Sequence, residues 1–224
     1  MSRILQIDSS LSVASVSVSL NGALLGSNTH AAQMDHAAFM QTGIRDLLLQ
    51  TNSSASDIAA VAVVSGPGSY TGIRVAMASA KGLAYAWKKP LITVNSLELL
   101  AHAAIQEHPV KEPSFWIPQI DARRMEVFTA CYDQNGQEAI APFACILDEQ
   151  AYLEQLNDRN TYFLGNGAAK WEKICKHLNA RFIPTPSTEN SFSVLAHQRY
   201  QNQQFTDLLW SEPYYVKEFY AATQ

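Results

Sequence analysis

The alternation of apolar and polar residues at the start of the chain predicts a three-stranded antiparallel meander. The segment "RILQIDSS" begins as an apolar run typical of a buried strand, and "VASVSVSL" alternates as a strand with one buried face requires. Asn21 and Gly22 form a dipeptide typical of tight hairpin turns, and "ALLGSNTH" follows as the returning strand.

Helical and strand periods then alternate through the first half of the chain. "DIAAVAVVS" is a continuous apolar run suited to an interior strand, residues 72–87 are typical of a helix, and "PLITV" predicts another strand. "SLELLAHAAIQEH" predicts a helix capped by Asn95 or Ser96. An earlier helix is predicted from apolar residues that share one face: Ala37, Met40, Ile44, Leu47 and Leu48.

The same order of elements begins again in the second half, which predicts an internal repeat. Gln6-Ile7-Asp8 matches Gln119-Ile120-Asp121, and the Asn21-Gly22 turn matches Asn135-Gly136 at nearly the same spacing. The second copy continues with a helix near 148–156, the strand "TYFLG" and a helix starting near Gly167, and a helical stretch follows at 192–203. The tail "SEPYYVKEFYAATQ" has no regular period.

This layout predicts an α/β protein with two RNase H-like lobes, each a mixed sheet flanked by helices, as in the actin-like (ASKHA) superfamily. In that superfamily, nucleotide lies between the lobes. We expect an N-terminal lobe over residues 1–98, joined by a returning helix at about 191–205, and a reduced C-terminal lobe over 99–190.

Composition narrows the range of functions. The 224 residues are 47% hydrophobic and 16% charged, which is typical of a compact globular protein. The net charge of −4, without a large basic cluster, argues against binding nucleic acid alone, although a complex containing the chain could do so. Three scattered cysteines without metal-ligand spacing, and no long apolar segment, predict a cytoplasmic protein with reduced thiols and no membrane contact.

The segment "SGPGSYTGIR" contains a glycine loop that fits none of the standard nucleotide or nucleophile motifs. A Walker A loop needs Lys-Ser/Thr where Ile73-Arg74 stands, and a dinucleotide fingerprint needs glycine at Thr71. Two interpretations stay open: a tight turn whose helix is capped by Ser69 or Thr71, or a vestigial phosphate contact. Superfamily members commonly have Asp-x-Gly-Thr/Ser after the first strand, where this chain has Asp8, Ser9 and Ser10.

Small residues recur every four positions in the helix that follows the glycine loop. Such a strip lets another helix approach closely, or it faces the helix's own sheet. The preceding helix also has apolar residues beyond one face, among them Met34 and Phe39. Together these features predict a partner surface. The residues of the strip are Gly72, Ala76, Ala80 and Ala84.

Several segments resemble the bacterial TsaB (YeaZ) family: "LQIDSSLSVASVSV", "SGPGSYTGIRVAMASAKGLA", "DARRMEVFTACYD" and "FLGNGA". The resemblance covers most of the chain and is strongest through residue 135. It implies an actin-like subunit, inactive on its own, that pairs with the catalytic paralogue TsaD and the ATPase TsaE to form threonylcarbamoyladenosine in tRNA. It also implies pairing through helices at about 34–50 and 72–87, and a homodimer when the paralogue is absent.

The resemblance implies no catalytic metal site. The paralogue uses a His-x-x-x-His pair, whereas His36 here is followed four residues later by Met40. The alternatives are an active kinase or metallopeptidase of this fold, or a nucleotide-sensing module. No cofactor is expected, except ATP or ADP bound weakly or at a partner interface.

Three groups of candidate site residues result, and none is assigned a catalytic role. The vestigial phosphate site comprises Asp8, Ser9, Ser10, Gly66, Gly68, Gly72, Gly165 and Gly167. The partner surface comprises Met34, His36, Phe39, Met40, Gly72, Ala76, Ala80 and Ala84. A polar cluster between the lobes comprises Asp121, Arg123, Arg124 and Glu126, for which we favour charge pairing in the structure over ligand binding.

Overall fold

Two five-stranded sheets form the framework of the protein in a computed structural model that describes residues 1–31 and 36–217. In the first lobe the strand order is β3-β2-β1-β4-β5, with β1, β2 and β3 antiparallel and β1, β4 and β5 parallel. The strands are β1 (Arg3–Asp8), β2 (Ala14–Leu20), β3 (Ala23–His30), β4 (Ile58–Gly66) and β5 (Leu91–Asn95), and the helices are α1 (His36–Gln50) and α2 (Tyr70–Trp87).

The second sheet repeats this pattern in the order β10-β9-β6-β7-β8. Strand β6 pairs antiparallel with β7 and parallel with β9, as β1 does with β2 and β4, so the predicted two-lobed architecture is confirmed. The elements are α3 (Ser96–Glu107), β6 (Ser114–Asp121), β7 (Glu126–Asp133), β8 (Glu138–Ile146), α4 (Leu153–Asp158), β9 (Asn160–Leu164), α5 (Ala168–Glu172), β10 (Ala180–Phe182) and α6 (Glu189–Gln201).

Both predicted hairpins form, with different turns. Asn21 and Gly22 both have positive φ, at 50° and 85°, as a two-residue turn of type I′ requires. In the loop of the second hairpin Gly136 is left-handed, at φ 77°, whereas Asn135 is not, and Asp133 N donates to the Gln137 carbonyl oxygen at 2.9 Å, so this loop is not a two-residue turn. By the strand bounds, the second loop spans residues 134–137, whereas the first consists of Asn21 and Gly22 alone.

Helix α3 lies between the lobes. Leu97, Leu100 and Ala104 pack into the core of the second sheet, while Leu99 packs with the first sheet. The Asn95 side chain accepts from Leu97 N at 2.8 Å, so Asn95 caps the helix as one of the two predicted residues. The expected lobe boundary at residue 98 thus falls within α3.

Helix α6 packs against the first sheet, through Phe192, Leu195 and Ala196. Its Arg199 makes an ion pair with Glu98 of α3 at 2.6 Å, which links the two helices between the sheets. The helices α4 and α5 are only 6 and 5 residues long, which agrees with a reduced second lobe. Among the described residues, no helix is long and apolar enough to cross a membrane.

Candidate functional site

A cavity of about 620 Å³ lies between the two lobes. Its walls come from the turn after β1, the loop between β4 and α2, the turn after β6, and the C-terminal residues 214–217. Of the eight residues predicted to form a vestigial phosphate site, only Ser10 and Gly68 line this cavity. The C-terminal segment was not among the predicted site residues, because it has no regular period and no motif.

The glycine loop packs against the chain's own backbone. A Cβ built on Gly68 would lie 2.1 Å from the Ser10 carbonyl oxygen, and one built on Gly72 would lie 2.0 Å from the Ser9 carbonyl oxygen. Ser69 N donates to the Ser10 carbonyl oxygen at 2.7 Å, and the Ser69 side chain caps α2 by accepting from Gly72 N at 3.2 Å. The glycines therefore allow the loop to reach the β1–β2 turn, which is the structural interpretation of the motif.

The second lobe uses the same device. A Cβ built on Gly165 would lie 2.4 Å from the Gln119 carbonyl oxygen, and Gly167 N donates to that oxygen at 2.9 Å. Asn166 Oδ1 accepts from Asp121 N at 2.9 Å, which holds the same loop against the end of β6. The first lobe thus packs a glycine-containing loop on the turn after β1, and the second lobe packs one on the end of β6. Phosphate binding by these loops stays a prediction.

Asp8 is a buried carboxyl at the end of β1. Its Oδ1 accepts from Ser10 N at 2.8 Å and from Ser10 Oγ at 2.7 Å. Burial raises the pKa of Asp8 above its ordinary value of 3.8, and it outweighs the two hydrogen bonds, which favour the ionised form; Glu189 acts in the same direction as burial. Ionised Asp8 therefore destabilises the fold.

We expect Asp8→Asn to raise the melting temperature at neutral pH. Because the folded pKa lies above the unfolded one, the stabilising contribution of wild-type Asp8 is complete at low pH and is lost as pH rises through the folded value. Asparagine keeps the acceptor for Ser10 and carries no charge, so its advantage should vanish in acid. Thermal melts from pH 3 to 8 measure this difference.

Asp57 provides a control of opposite sign. Hydrogen bonds from the Ser54 side chain and backbone lower the pKa of this exposed carboxyl, so it stabilises the fold above its unfolded pKa and ceases to do so in acid. Asp57→Asn should therefore lower the melting temperature at neutral pH. A lower melting temperature for Asp8→Asn at neutral pH would contradict the assignment of Asp8.

The predicted polar cluster is divided between two ion pairs. Asp121 pairs with Lys170 and Glu126 pairs with Lys217, and the Arg123 and Arg124 side chains are exposed. Burial opposes ionisation of Asp121, but hydrogen bonds from Lys170 and from Arg123 N, at 2.6 Å, outweigh it and lower the pKa. The two carboxylates thus pair with lysines instead of with the neighbouring arginines.

The arginines of this turn have unusual backbone conformations. Arg123 and Arg124 have φ values of 71° and 51°, in the left-handed region that non-glycine residues rarely occupy.

Among the described side chains, no three His, Cys, Asp or Glu residues lie together as metal ligands. Burial raises the pKa of Cys131 to about 12, so this thiol is unreactive at neutral pH.

The small-residue strip of α2 faces the chain's own sheet, which corrects the predicted partner surface. Ala76, Ala80 and Ala84 are fully buried with Met40 in the core of the first lobe, and Gly72 is buried against Ser9. Small side chains on this face let α2 lie close to the sheet, so they are not free to contact a partner.

The remaining residues of the predicted surface are placed differently. Phe39 is half-buried, packs on the same core and stacks on His30 with ring centroids 5.1 Å apart. Met34 and the His36 side chain lie outside the described residues.

The outward face of α2 has its own strip of small residues, offset by two positions from the buried one. Ala78 and Gly82 are exposed, and a Cβ built on Gly82 would meet no atom within 4 Å. Tyr85 beside them is 75% exposed, as is Leu49 on α1. The buried residues Ile73 and Met77 flank the inner strip and could have identified the core face from the sequence.

Comparisons with known proteins give concordant matches. The family model "TsaD: tRNA N6-adenosine threonylcarbamoyltransferase" matches residues 26–212. The chain is 26% identical to the tRNA threonylcarbamoyladenosine biosynthesis protein TsaB of Escherichia coli K12, over 96% of this chain and 94% of that protein. Its identity to the Bacillus subtilis 168 protein of the same name is 30%, over 70% of this chain and 68% of that protein.

A solved structure shows the same architecture. The structure titled "YeaZ from Pseudomonas aeruginosa" superposes with a TM-score of 0.79 at 27% identity, over 96% of this chain and 100% of that chain. The predicted actin-like fold is thereby confirmed.

Proposed function

The chain belongs to the TsaB (YeaZ) family of tRNA threonylcarbamoyladenosine biosynthesis proteins, and from that premise we propose that it is a non-catalytic subunit. It binds and activates a TsaD-like catalytic paralogue, together with a TsaE-like ATPase, and meets tRNA only through that complex. The chain has no cofactor of its own, and ATP or ADP binds weakly or where a partner completes the site.

One observation carries the non-catalytic assignment. The carbonyl oxygens of Ser10 and Ser9 lie against Gly68 and Gly72, respectively, in the space where a side chain would begin. A phosphate cradle needs open backbone N–H groups at that position, whereas Ser69 N already donates to the chain itself. The loop is thus built as an internal packing element.

The outward faces of α1 and α2 support the pairing with a paralogue. Ala78 and Gly82 leave room for a helix to approach closely, and Tyr85 on α2 and Leu49 on α1 each offer exposed apolar area. The chain itself matches the transferase family model over most of its length, which supports a paralogue with lobes of related architecture as the partner. We assign the docking face to these outward residues, and it serves a homodimer when the paralogue is absent.

We expect Ala78→Arg to abolish co-purification with a co-expressed TsaD-like partner. The residue is exposed in the chain alone, so the variant should fold with an unchanged melting temperature, while a long charged side chain blocks close helix packing. The matched control is Ala139→Arg, an exposed alanine on β8 of the other lobe, which should co-purify as wild type. Undiminished co-purification of Ala78→Arg would exclude this face.

The function itself is tested by reconstitution. Purified chain alone should neither hydrolyse ATP nor modify tRNA, whereas omitting it from a mixture with the paralogue and the ATPase should stop modification. Mass spectrometry of digested tRNA measures the product, and calorimetry with ADP measures nucleotide binding by the isolated chain. Turnover by the unmodified chain alone would contradict the proposal.

A further inference from the structure

The C-terminal segment after α6 is attached to the first lobe. Tyr214 N donates to the Ser65 carbonyl oxygen at 2.8 Å, beside the end of β4. The Tyr215 ring lies against Tyr70 at the start of α2, with centroids 5.7 Å apart. Lys81 of α2 donates to the Ser211 carbonyl oxygen at 2.8 Å. These contacts hold residues 211–215 along the edge of the cavity.

The same segment then reaches the second lobe. Lys217 makes an ion pair with Glu126 at the start of β7, and residues 214–217 line the cavity together with residues of both lobes. The segment passes close to Gly66, where only glycine is easily accommodated. Gly66 has φ 110°, and a Cβ built on it would lie 2.9 Å from the Tyr214 carbonyl oxygen. Residues 211–217 therefore bridge the cleft between the two lobes.

We propose that residues 211–217 form a strap that holds the cleft between the lobes closed, and that release of the strap opens the cavity. The proposal is independent of the function proposed above. Besides the backbone contacts and the Lys81 hydrogen bond, the described residues tie the strap to the lobes through a partly exposed ion pair, with Lys217 53% and Glu126 23% exposed, and through the contact between Tyr215 and Tyr70. Such contacts are individually weak, whereas each lobe has its own buried core, so the strap releases without unfolding either lobe.

A charge-swap cycle in the full chain tests the tie to the second lobe. Lys217→Glu and Glu126→Lys each place like charges together, so hydrogen exchange of the Tyr214 amide should accelerate, by about fivefold for a pair of this exposure. The double variant restores an opposite-charge pair and should return exchange to within about twofold of wild type. Lys111→Glu, at an exposed residue, is the matched control.

The second measurement reports the distance between the two lobes. Spin labels are placed at Gln50 on α1 and at Lys176 in the second lobe, in a background from which the half-buried Cys145 and Cys175 have been removed. Double electron–electron resonance then measures the distance between the two labels. Full chain carrying Tyr215→Ala and Lys217→Glu should give a longer and broader distribution than wild type, with circular dichroism unchanged.

Each outcome of these two measurements either supports or overturns the proposal. Faster Tyr214 exchange that the double variant restores, together with a wider cleft, supports the strap. Unchanged exchange in both single charge reversals, failure of the double variant to restore it, or an unchanged distance distribution would each overturn the proposal. Because neither measurement involves a partner or tRNA, failure here leaves the reconstitution experiment to decide the proposed function separately.

Discussion

Replacing Gly72 by alanine is expected to destabilise the folded protein by about 3 kcal/mol. The added methyl would lie 2.0 Å from the Ser9 carbonyl oxygen and 3.0 Å from Ser69 Oγ, the atom that caps α2. The nearer neighbour is a backbone atom of the turn after β1, which cannot move aside as the end of a flexible side chain could. The start of α2 must therefore move away from the turn, which also weakens the contact between Ser69 N and Ser10.

Gly82→Ala is the matched control on the same helix. A methyl at Gly82 meets no atom within 4 Å, so only helix propensity acts, and the variant should be more stable by about 0.5–1 kcal/mol. Urea unfolding measures the free energy of unfolding of both variants. The dependence on urea concentration should be the same for both, because unfolding exposes the same surface area. Equal effects at the two glycines would contradict the close packing of the loop on the β1–β2 turn.

The repeated hairpins could be predicted because their signals are local. Strand alternation and the Asn21-Gly22 turn depend on neighbouring residues, and both copies of Gln-Ile-Asp end the first strand of a meander. Gln6 and Gln119 occupy equivalent places in the two sheets, as the sequence match predicts, and the structure shows that both are fully buried. Such features need no knowledge of which elements pack together.

The role of the glycine loop could not be predicted, because a glycine allows another group to lie close to the backbone but does not indicate which group this is. Gly68 and Gly72 are equally compatible with a phosphate or with a carbonyl oxygen of the same chain. What lies against them depends on the position of the β1–β2 turn, which is distant in sequence and brings the carbonyl oxygens of Ser9 and Ser10 there. The strap has the same difficulty, since Tyr214 and Lys217 acquire their partners through tertiary contacts alone.

The burial of the inner strip of α2 corrects the predicted partner surface and confirms the alternative in which the strip faces its own sheet. A small-residue strip permits close packing on either side of a helix, so Ala76 and Ala80 alone do not identify a partner. Their bulky neighbours Ile73 and Met77 must be buried somewhere, and the sheet is the nearest apolar surface. A helix with two small strips therefore uses one for its own sheet and leaves Ala78 and Gly82 outside.

Ala80→Arg should consequently abolish folding instead of selectively disrupting a complex. Ala80 has no exposed surface and packs in the core of the first lobe, so the guanidinium is buried without a partner or the helix is displaced from its sheet. The expected loss exceeds about 4 kcal/mol, a large part of the stability of an ordinary domain. The measurement is the yield of soluble protein and its thermal unfolding without any partner present.

Ala78→Arg is the comparison that separates folding from docking, since it makes the same chemical change two residues away on the outward face. The two variants should fail for different reasons: Ala80→Arg before any partner is added, and Ala78→Arg only when the paralogue must bind. A soluble Ala80→Arg chain with wild-type melting would show that the inner strip is not packed on the sheet. Because both changes lie on one helix and add the same side chain, helix propensity cannot account for a difference between them.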